Sequence, residues 1–283
     1  MGNKIFVWQT SSADNKTTAV QITDPLPTSL DEATRRLPSG GYTTFRTFCT
    51  NKVLRLYEHF ERLELTARLA AKPVHFNRER VRQDLRNLLS QHHYEDTRVR
   101  IILDLEDQPG TIFYLVEKLR IPSIRDYTQG VKVVTRQMHR TNPVAKLTRF
   151  IEKADAIRQD LPAQTNEAVM VSDGGKLLEG LSSNFFAVCD ATIWTADEGV
   201  LPGITRSLVI EVINELTIPL RMEPVDFQDL HKLEEAFITS ASRGVLPVTS
   251  INESLVSNGW PGSLTRKIME RYQQRIEEEL EVI

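Results

Sequence analysis

The sequence predicts an α+β or α/β protein with two domains, and three observations support this class. Short β-prone runs and amphipathic helical patterns both occur along the 283 residues. A hydrophobic content of 40% is enough for a sizeable core. Residues 121–129 contain Pro122, Ser123 and Asp126 without clear periodicity, as in a linker. We therefore expect a small N-terminal α/β domain over 1–121, a linker over 122–129 and a larger C-terminal domain over 130–283.

The first half has the elements of a small α/β domain. Residues 42–48 and 53–56 flank a polar turn and predict a β-hairpin. Apolar residues from Leu56 to Ala70 recur at spacings of three and four, which predicts a helix that ends before Pro73. Asn77 is expected to cap a second helix. Two further strands are predicted on either side of a Pro-Gly turn, at 99–105 and 111–116.

In the second half, strand and helix patterns alternate. Strands are predicted at 131–135, 168–171 and 184–188 and helices at 148–159 and 205–216. A last helix should begin at a Ser263 cap and continue to about Leu280.

Charge and cysteine usage exclude several classes of function. The chain has 35 Lys+Arg against 38 Asp+Glu, so no cationic field favours nucleic acid. Cys49 and Cys189 lack the spacing of a redox or zinc site and are typical of a reducing compartment. No long apolar segment predicts a signal peptide or membrane span, so a cytoplasmic protein without a membrane partner is expected.

Common nucleotide, zinc-protease and hydrolase motifs are absent from the sequence. It contains no G-x-x-x-x-G-K-[ST], G-x-G-x-x-G, H-E-x-x-H or G-x-S-x-G. His92 and His93 are the only adjacent histidines, and helical neighbours diverge by about 100°. We expect solvated side chains there and no metal site.

Three segments place polar groups where a strand or loop meets a helix. Residues 202–206 open a helix whose free amides favour an anion, although a simple Thr-capped helix is the alternative. Residues 239–242 follow an apolar run with small hydroxylated residues that could bind the same anion, but such loops are common. His59 and Arg62 should share an exposed helix face, where Arg62 could bind phosphate or pair with Glu58.

In order along the chain, these segments resemble a known family. Leu-Glu-Gly-Leu-Ser-Ser-Asn-Phe-Phe at 178–186, Ile-Trp-Thr at 193–195 and Leu-Pro-Gly-Ile-Thr-Arg at 201–206 resemble the signature of the class IV, fold-type IV pyridoxal-phosphate aminotransferases. This group includes branched-chain and D-amino-acid aminotransferases and aminodeoxychorismate lyase. The resemblance implies pyridoxal 5'-phosphate as cofactor, an active site between the small and large domains, and a homodimer.

The resemblance also implies roles for individual residues. Lys146 stands at the position of the catalytic lysine that binds the cofactor as a Schiff base, and Glu179, 33 residues later, at that of the partner of the pyridine nitrogen. The remaining cofactor contacts would be made to the phosphate, by Arg62, Ile204, Thr205, Ser240 and Ala241.

Substrate recognition is expected on two predicted strands. Strand alternation puts Arg98 and Arg100 on one face of a predicted strand. There they either face solvent and only increase solubility, or can bind a substrate carboxylate. Branched-chain relatives resemble this chain at Arg100 and Arg46, so Arg100 is the first candidate and Arg46 the second. Tyr42 stands where those relatives have a Phe-Glu-Gly run and is the third substrate-binding candidate.

The resemblance favours an aminotransferase that moves an amino group between an amino acid, or amine, and a 2-oxo acid. A lyase of the aminodeoxychorismate type, which releases pyruvate, is the alternative, and a non-catalytic protein is disfavoured by Lys146 and Glu179. The Arg-Asn-His group of D-amino-acid aminotransferases is not found in residues 104–110. Arg149 and Phe150 replace residues common in relatives, which concerns substrate choice more than cofactor binding.

Overall fold

A computed structural model describes residues 4–11, 16–22, 25–91 and 94–283. Its contacts divide the chain into two units. The first unit contains Met1–Arg120, Ala145–Asp155 and Glu279–Ile283. The second unit contains Ile121–Val144 and Ala156–Glu278.

The first unit is built on a seven-stranded sheet, in the order β16-β4-β3-β5-β6-β1-β2 over the described residues. Its strands are β1 (Phe6–Thr10), β2 (Thr17–Ala19), β3 (Gly40–Phe48), β4 (Lys52–Leu54), β5 (Thr97–Asp104), β6 (Ile112–Lys118) and β16 (Leu280–Val282). Its helices are α1 (Leu30–Thr34), α2 (Leu56–Leu69), α3 (Arg78–Ser90) and most of α5 (Arg149–Gln159). The predicted hairpin and the two predicted helices that follow it are confirmed, and the Asn77 side chain accepts a hydrogen bond from the Arg80 amide.

The two faces of this sheet bury different residues. Val99 and Ile101 of β5 lie in the core that α2 and α3 cover, together with Phe60 and Leu63. Arg100 is directed to the other face, where Tyr42 packs with Leu30, Ile102 and Ile151. The predicted alternation along β5 is therefore confirmed.

The unit boundaries differ from the predicted domains in two places along the chain. Residues 145–155 belong to the first unit because Leu147 pairs with Gly41 and the Thr148 amide donates to the Gly40 carbonyl at 2.9 Å. The C-terminal strand β16 belongs there too, since it pairs antiparallel with β4.

The predicted linker is also partly helical. Ile124–Gln129 forms α4 in the second unit, and Ser123 and Asp126 form a reciprocal capping box at its start. A helix of six residues is too short to show apolar periodicity, so the spacing of apolar residues did not predict it.

The second unit is built on a nine-stranded sheet, counted over the described residues. Its strands are β7 (Val131–Gln137), β8 (Thr165–Val171), β9 (Leu177–Gly180), β10 (Asn184–Cys189), β11 (Thr192–Trp194), β12 (Leu220–Arg221), β13 (Glu235–Ser240), β14 (Gly244–Ile251) and β15 (Ser254–Leu255). Its helices are α4, α6 (Ile204–Glu215) and most of α7 (Ser263–Glu279), with a 3-10 helix at Phe227–Lys232. Because β9 pairs with both β8 and β10, six of these strands close into a ring.

One face of these strands encloses an apolar core that includes Val133, Phe185, Ile238 and Leu246. On the opposite face, Phe186 and Phe237 stack with ring centroids 4.8 Å apart. Asn184 and Thr239 are paired neighbours in β10 and β13, so their side chains share one face of the sheet.

The sequence predicts that Ser263 caps α7, but a different residue caps this helix in the structure. Ser263 is the first helical residue, and the buried carboxylate of Glu235 accepts hydrogen bonds from the amides of Leu264 (3.0 Å) and Thr265 (2.7 Å). A carboxylate from a distant strand thus satisfies the helix N-terminus, which local sequence could not indicate.

The adjacent histidines His92 and His93, for which the sequence predicts solvated side chains, lie outside the described residues. Among residues 4–11, 16–22, 25–91 and 94–283, no group of three or more His, Cys, Asp or Glu side chains could hold a metal ion. No helix in these same ranges has the length and apolar character needed to span a membrane.

Glu235→Ala should lower the free energy of unfolding by about 1–3 kcal/mol, because two buried amides lose a charged acceptor. Urea unfolding of the purified protein measures the change. Glu270→Ala on the exposed face of α7 is the control and should stay within about 0.5 kcal/mol of the starting protein. Equal losses for the two variants would contradict the capping role.

Candidate functional site

Lys146 lies in an extended segment that runs along the start of β3. Its carbonyl accepts from the Tyr42 amide at 2.9 Å, and its own amide donates to Thr66 Oγ1 at 3.2 Å. The Lys146 Nζ atom lies 4.8 Å from the centroid of the Tyr42 ring. The backbone of Lys146 is therefore fixed from two sides, with its amine against an aromatic face.

Arg62 is a largely buried cation on α2. Its Nη2 donates to Thr43 Oγ1 at 2.6 Å and lies 3.2 Å from His59 Nδ1. Within the described ranges, Arg62 Nε is buried without a hydrogen-bond partner, and no carboxylate forms an ion pair with this guanidinium. Glu58 forms an ion pair with Arg55 at 3.5 Å and not with Arg62, on which its charge acts at a longer distance.

Burial lowers the pKa of Arg62 to about 10. The guanidinium is therefore still charged at neutral pH; the charge of Glu58 opposes the effect of burial, but no carboxylate of the described residues forms an ion pair with Arg62. Such a group suits an anionic ligand.

His59 does not lie on an exposed face, as the sequence predicts, but is 2% exposed. Because α2 packs on β3, its ring lies 5.1 Å from that of Phe45 and within hydrogen-bond distance of Thr43. Burial lowers the pKa of His59 well below its usual value, and the charges of Arg62 and Lys146 add to this effect. The imidazole is neutral at physiological pH.

The contacts of Arg100 disfavour its predicted role as the substrate-carboxylate ligand. Its guanidinium is 3% exposed and donates to Asp31 Oδ1 at 2.6 Å, Thr34 Oγ1 at 2.7 Å and Thr44 Oγ1 at 3.1 Å. A substrate carboxylate would have to displace a carboxylate that is already bound. Arg100 also lies 5.0 Å from the Tyr42 ring centroid.

Arg46 is engaged in a similar way. It forms an ion pair with Asp96 and lies over the Phe48 ring, 4.3 Å from the centroid. Of the three substrate candidates, only Tyr42 contacts Lys146, and its ring is 7% exposed.

In the second unit, Glu179 presents a buried carboxylate with several donors. Oε2 accepts from the Leu201 amide at 3.1 Å and from Asn184 Nδ2 at 3.2 Å, while Oε1 lies 2.7 Å from Arg140 Nε. The two hydrogen bonds to Oε2 and the positive charge of Arg140 beside Oε1 favour the ionised form of the carboxylate. Sequence reasoning gave no role to Arg140, because a single Arg outside a recognised motif gives no signal, and none to Asn184, although it lies within the quoted 178–186 segment.

Asn184 connects Glu179 to the start of α6. Gly203 precedes this helix and makes no side-chain cap, so the first amides of α6, including those of Ile204 and Thr205, have no partner within the helix. A Cβ atom on Gly203 would lie 2.3 Å from Asn184 Oδ1. Glycine is therefore required for the close approach between the Asn184 side chain and the helix start.

The turn between β13 and β14 adjoins Asn184 through its pairing with Thr239. Thr239 Oγ1 is buried and lacks a hydrogen-bond partner among the described residues. Ser240 Oγ accepts from Arg243 Nε at 3.0 Å, and Ala241 is the next residue of the turn. This end of β13 thus presents the Thr239 hydroxyl, which has no partner among the described residues, next to the Ser240 hydroxyl, which is bound to Arg243.

Arg243 anchors this turn to the rest of the unit. Its Nη2 lies 2.9 Å from Oε2 of Glu167, which also accepts from the Ser182 hydroxyl at 2.7 Å. Burial, the largest single effect, would raise the pKa of Glu167, but the charges of Arg243 and Arg158 together with the hydrogen bonds from Arg243 and Ser182 hold this pKa below its usual value.

The structure therefore groups the predicted residues within each unit. Lys146, Tyr42 and Arg62 lie close together in the first unit, linked through Thr43, His59 and Thr66. In the second unit, Asn184 contacts or pairs with each of the three predicted segments, which contain Glu179, Ile204-Thr205 and Ser240-Ala241.

These groups fit pyridoxal phosphate. Within the first unit, the Lys146 amine and the Arg62 guanidinium suit an aldehyde and a phosphate. Within the second unit, the Glu179 carboxylate suits a pyridine nitrogen, and the free amides at the start of α6 and the Thr239 hydroxyl suit a phosphate. The fold and these groups define a fold-type IV aminotransferase. The family model for amino-transferase class IV matches residues 40–251, and the chain belongs to this family.

Named relatives agree with this assignment. The chain is 28% identical over 246 residues to a protein of Thermotoga maritima named "Probable branched-chain-amino-acid aminotransferase", which covers 84% of this chain and 87% of that protein. It is 24% identical over 256 residues to the D-alanine aminotransferase of Staphylococcus epidermidis, covering 84% and 88%. The protein is thus an enzyme of the transaminase type.

Solved structures share the fold. A crystal structure of a candidate branched-chain amino acid aminotransferase from Thermotoga maritima has a TM-score of 0.79 at 25% identity and covers 96% of each chain. A branched-chain aminotransferase from the thermophilic archaeon Thermoproteus uzoniensis, solved with norvaline, has a TM-score of 0.78 at 20% identity and covers 99% of each chain. Another branched-chain amino acid aminotransferase, solved with pyridoxamine 5'-phosphate, has a TM-score of 0.79 at 18% identity and covers 100% of this chain and 99% of that one.

His59 should make the protein less stable in mild acid. Because its folded pKa is depressed, the unfolded chain gains a proton that the folded protein does not bind. The stability is fully present above the usual pKa of 6.5 and is lost as the pH falls towards the folded value, with a slope of up to about 1.4 kcal/mol per pH unit. Urea unfolding at several pH values between about 7.5 and 5 measures this slope.

His59→Gln should flatten the dependence, and His75→Gln, at an exposed position, should leave it unchanged. Equal slopes in both variants would show that His59 does not titrate differently in the folded and unfolded states.

Proposed function

We propose that this enzyme transfers an amino group between an amino acid and a 2-oxo acid with pyridoxal phosphate bound to Lys146. The observation that carries the proposal is the Arg62 guanidinium, which is partly buried beside two neutral acceptors and forms no ion pair with a carboxylate of the described residues. A phosphate group supplies the missing negative charge.

When bound, the cofactor supplies an aldehyde that condenses with amines and a ring that accepts electrons. Lys146 would hold it covalently through Nζ and, once a substrate amine replaces it, carry a proton at the same atom. The Tyr42 ring beneath Nζ and the two backbone hydrogen bonds of Lys146 would keep that amine in place.

Glu179 would pair with the pyridine nitrogen of the cofactor. Asn184, the Leu201 amide and Arg140 hold its carboxylate in one orientation and stabilise its charge. An ionised carboxylate at this point keeps the ring nitrogen protonated, which strengthens the ring as an electron acceptor.

The phosphate would be bound by Arg62, by the amides of Ile204 and Thr205, and by the turn that contains Ser240 and Ala241. The dipole of α6, a helix of 12 residues, favours an anion at its first turn. The Thr205 side chain is 4% exposed, which places its hydroxyl in a water-poor setting where a hydrogen bond to phosphate is strong.

Tyr42 is the substrate-binding residue that the contacts support, because it adjoins Lys146. Arg100 and Arg46 are kept here as residues that support Tyr42 and its strand rather than as carboxylate ligands. The relatives reported above are all named aminotransferases, so the lyase alternative is not favoured.

We further propose that the enzyme is a cytoplasmic homodimer. The family resemblance supports the dimer, and two free cysteines, Cys49 and Cys189, are typical of a reducing compartment.

Borohydride reduction of the protein loaded with pyridoxal phosphate should fix the pyridoxyl group on Lys146, because only this lysine has the contacts described above. Peptide mapping by mass spectrometry locates the label. Lys146→Ala should carry no label, and Lys153→Ala, seven residues further along, should be labelled as the unchanged protein is. A label on Lys153, or none at all, contradicts the assignment.

Sedimentation of the loaded enzyme should give the mass of two chains, since the family completes each active site with residues of a neighbouring subunit. The measurement is made at the concentration used for the activity assay. A fully active monomer of 32.3 kDa would refute the dimer.

A further inference from the structure

We propose that Thr43 and His59 are positioning residues that orient the Arg62 guanidinium towards the cofactor phosphate. The inference rests on the proposed function and gives a role to two residues to which the resemblance assigned none. All three residues lie in the first unit, Thr43 on β3 and the other two on α2.

The hydrogen bonds among these three side chains run in one direction. Arg62 has only donors, so its Nη2 donates to Thr43 Oγ1 at 2.6 Å and to His59 Nδ1 at 3.2 Å. The Thr43 hydroxyl, which accepts from Arg62, can then donate its own proton to His59 Nδ1 at 2.6 Å. His59 therefore acts as an acceptor at Nδ1 and carries its proton on Nε2.

This arrangement requires a neutral His59. A proton on Nδ1 would face the Arg62 guanidinium and leave the Thr43 hydroxyl without its acceptor. The burial of His59 and the nearby charges of Arg62 and Lys146 disfavour that protonated form.

Neutral acceptors matter because they orient a cation without cancelling its charge. An Asp or Glu at either position would pair with Arg62 and compete with a phosphate for the same donors. A hydroxyl and an imidazole fix one edge of the guanidinium, and Nε stays unpartnered among the described residues. The cation is held in one orientation and is still able to bind an anion.

Both supports are rigid. Thr43 is fully buried in β3, where it pairs with Ile101 of the neighbouring strand. His59 is fixed on α2 by the adjacent core residue Phe60 and by the ring of Phe45. Because neither residue can follow a displaced guanidinium, they define where Arg62 points.

A purely structural role is the competing explanation. The Thr43–His59 hydrogen bond could serve only to attach α2 to β3. Its loss would then lower stability and would weaken the binding of pyridoxal and of pyridoxal phosphate equally, because pyridoxal differs from the cofactor by the phosphate alone.

The test compares the dissociation constants of pyridoxal phosphate and pyridoxal, measured by absorbance with the apoenzyme. Thr43→Val removes the hydroxyl at nearly constant volume and should reduce the preference for the phosphorylated form by about three- to tenfold. Thr43→Ser keeps the hydroxyl and should restore the preference. Arg62→Ala sets the full effect of losing the phosphate ligand, expected at about 100-fold.

His59→Leu removes the acceptor and should act like Thr43→Val, while His59→Asn, whose amide oxygen can take the place of Nδ1, should act like Thr43→Ser. Far-ultraviolet circular dichroism and thermal unfolding of each apoenzyme establish that the variants are folded. Should one variant not fold, the ratio obtained with the other decides.

If the ratio of the dissociation constants of pyridoxal and pyridoxal phosphate is unchanged in folded Thr43→Val or His59→Leu, the inference is overturned, even where thermal stability falls. The proposed function fails differently. In that case the unchanged protein itself shows no preference for pyridoxal phosphate over pyridoxal, and Arg62→Ala has no effect on the ratio.

Discussion

The pairing of residues 146–148 with the start of β3 is the constraint on which the first unit depends. The Tyr42 amide donates to the Lys146 carbonyl, and Thr148 is bonded to Gly40 through both its amide and its hydroxyl. Thr66 of α2, which accepts from the Lys146 amide, packs closely on the same part of β3, since a Cβ on Gly41 would lie 3.0 Å from the Thr66 side chain. This pairing sets the amine of Lys146 against Tyr42 and brings it into the electrostatic environment of His59.

The second unit is organised around Asn184 in a comparable way. The Asn184 side chain donates hydrogen bonds to Glu179 and to the Leu201 carbonyl, and it lies where a Cβ on Gly203 would be. Its backbone is paired with Thr239. Several short segments that are far apart in the sequence are thereby fixed to a single strand. The local geometry of the carboxylate and of the helix start is coupled, because a shift of Asn184 changes both.

Arg62 differs from the ion-paired arginines described above, including Arg100 of the first unit, in having no ion-paired carboxylate among the described residues, and this bears on the chemistry. Arg140 and Arg243 are each matched to a buried carboxylate, Glu179 and Glu167. Arg62 is not matched, and its pKa is lowered to about 10 by burial. The matched pairs stabilise the position of protein groups, whereas an unmatched buried cation is costly to the fold and is retained where a ligand supplies the counter-charge.

The sequence by itself determined the main elements and the family, and it supplied the residues of the candidate site as predictions. Periodicity was sufficient for α2, α3 and the β3–β4 hairpin, because their patterns are long or bounded by clear turns. Only the tertiary structure decided that His59 is buried, that Glu235 caps α7, and that Arg100 is bound by Asp31. Each of these depends on a partner from a distant part of the chain, and spacing along one element carries no information about which distant group will meet it.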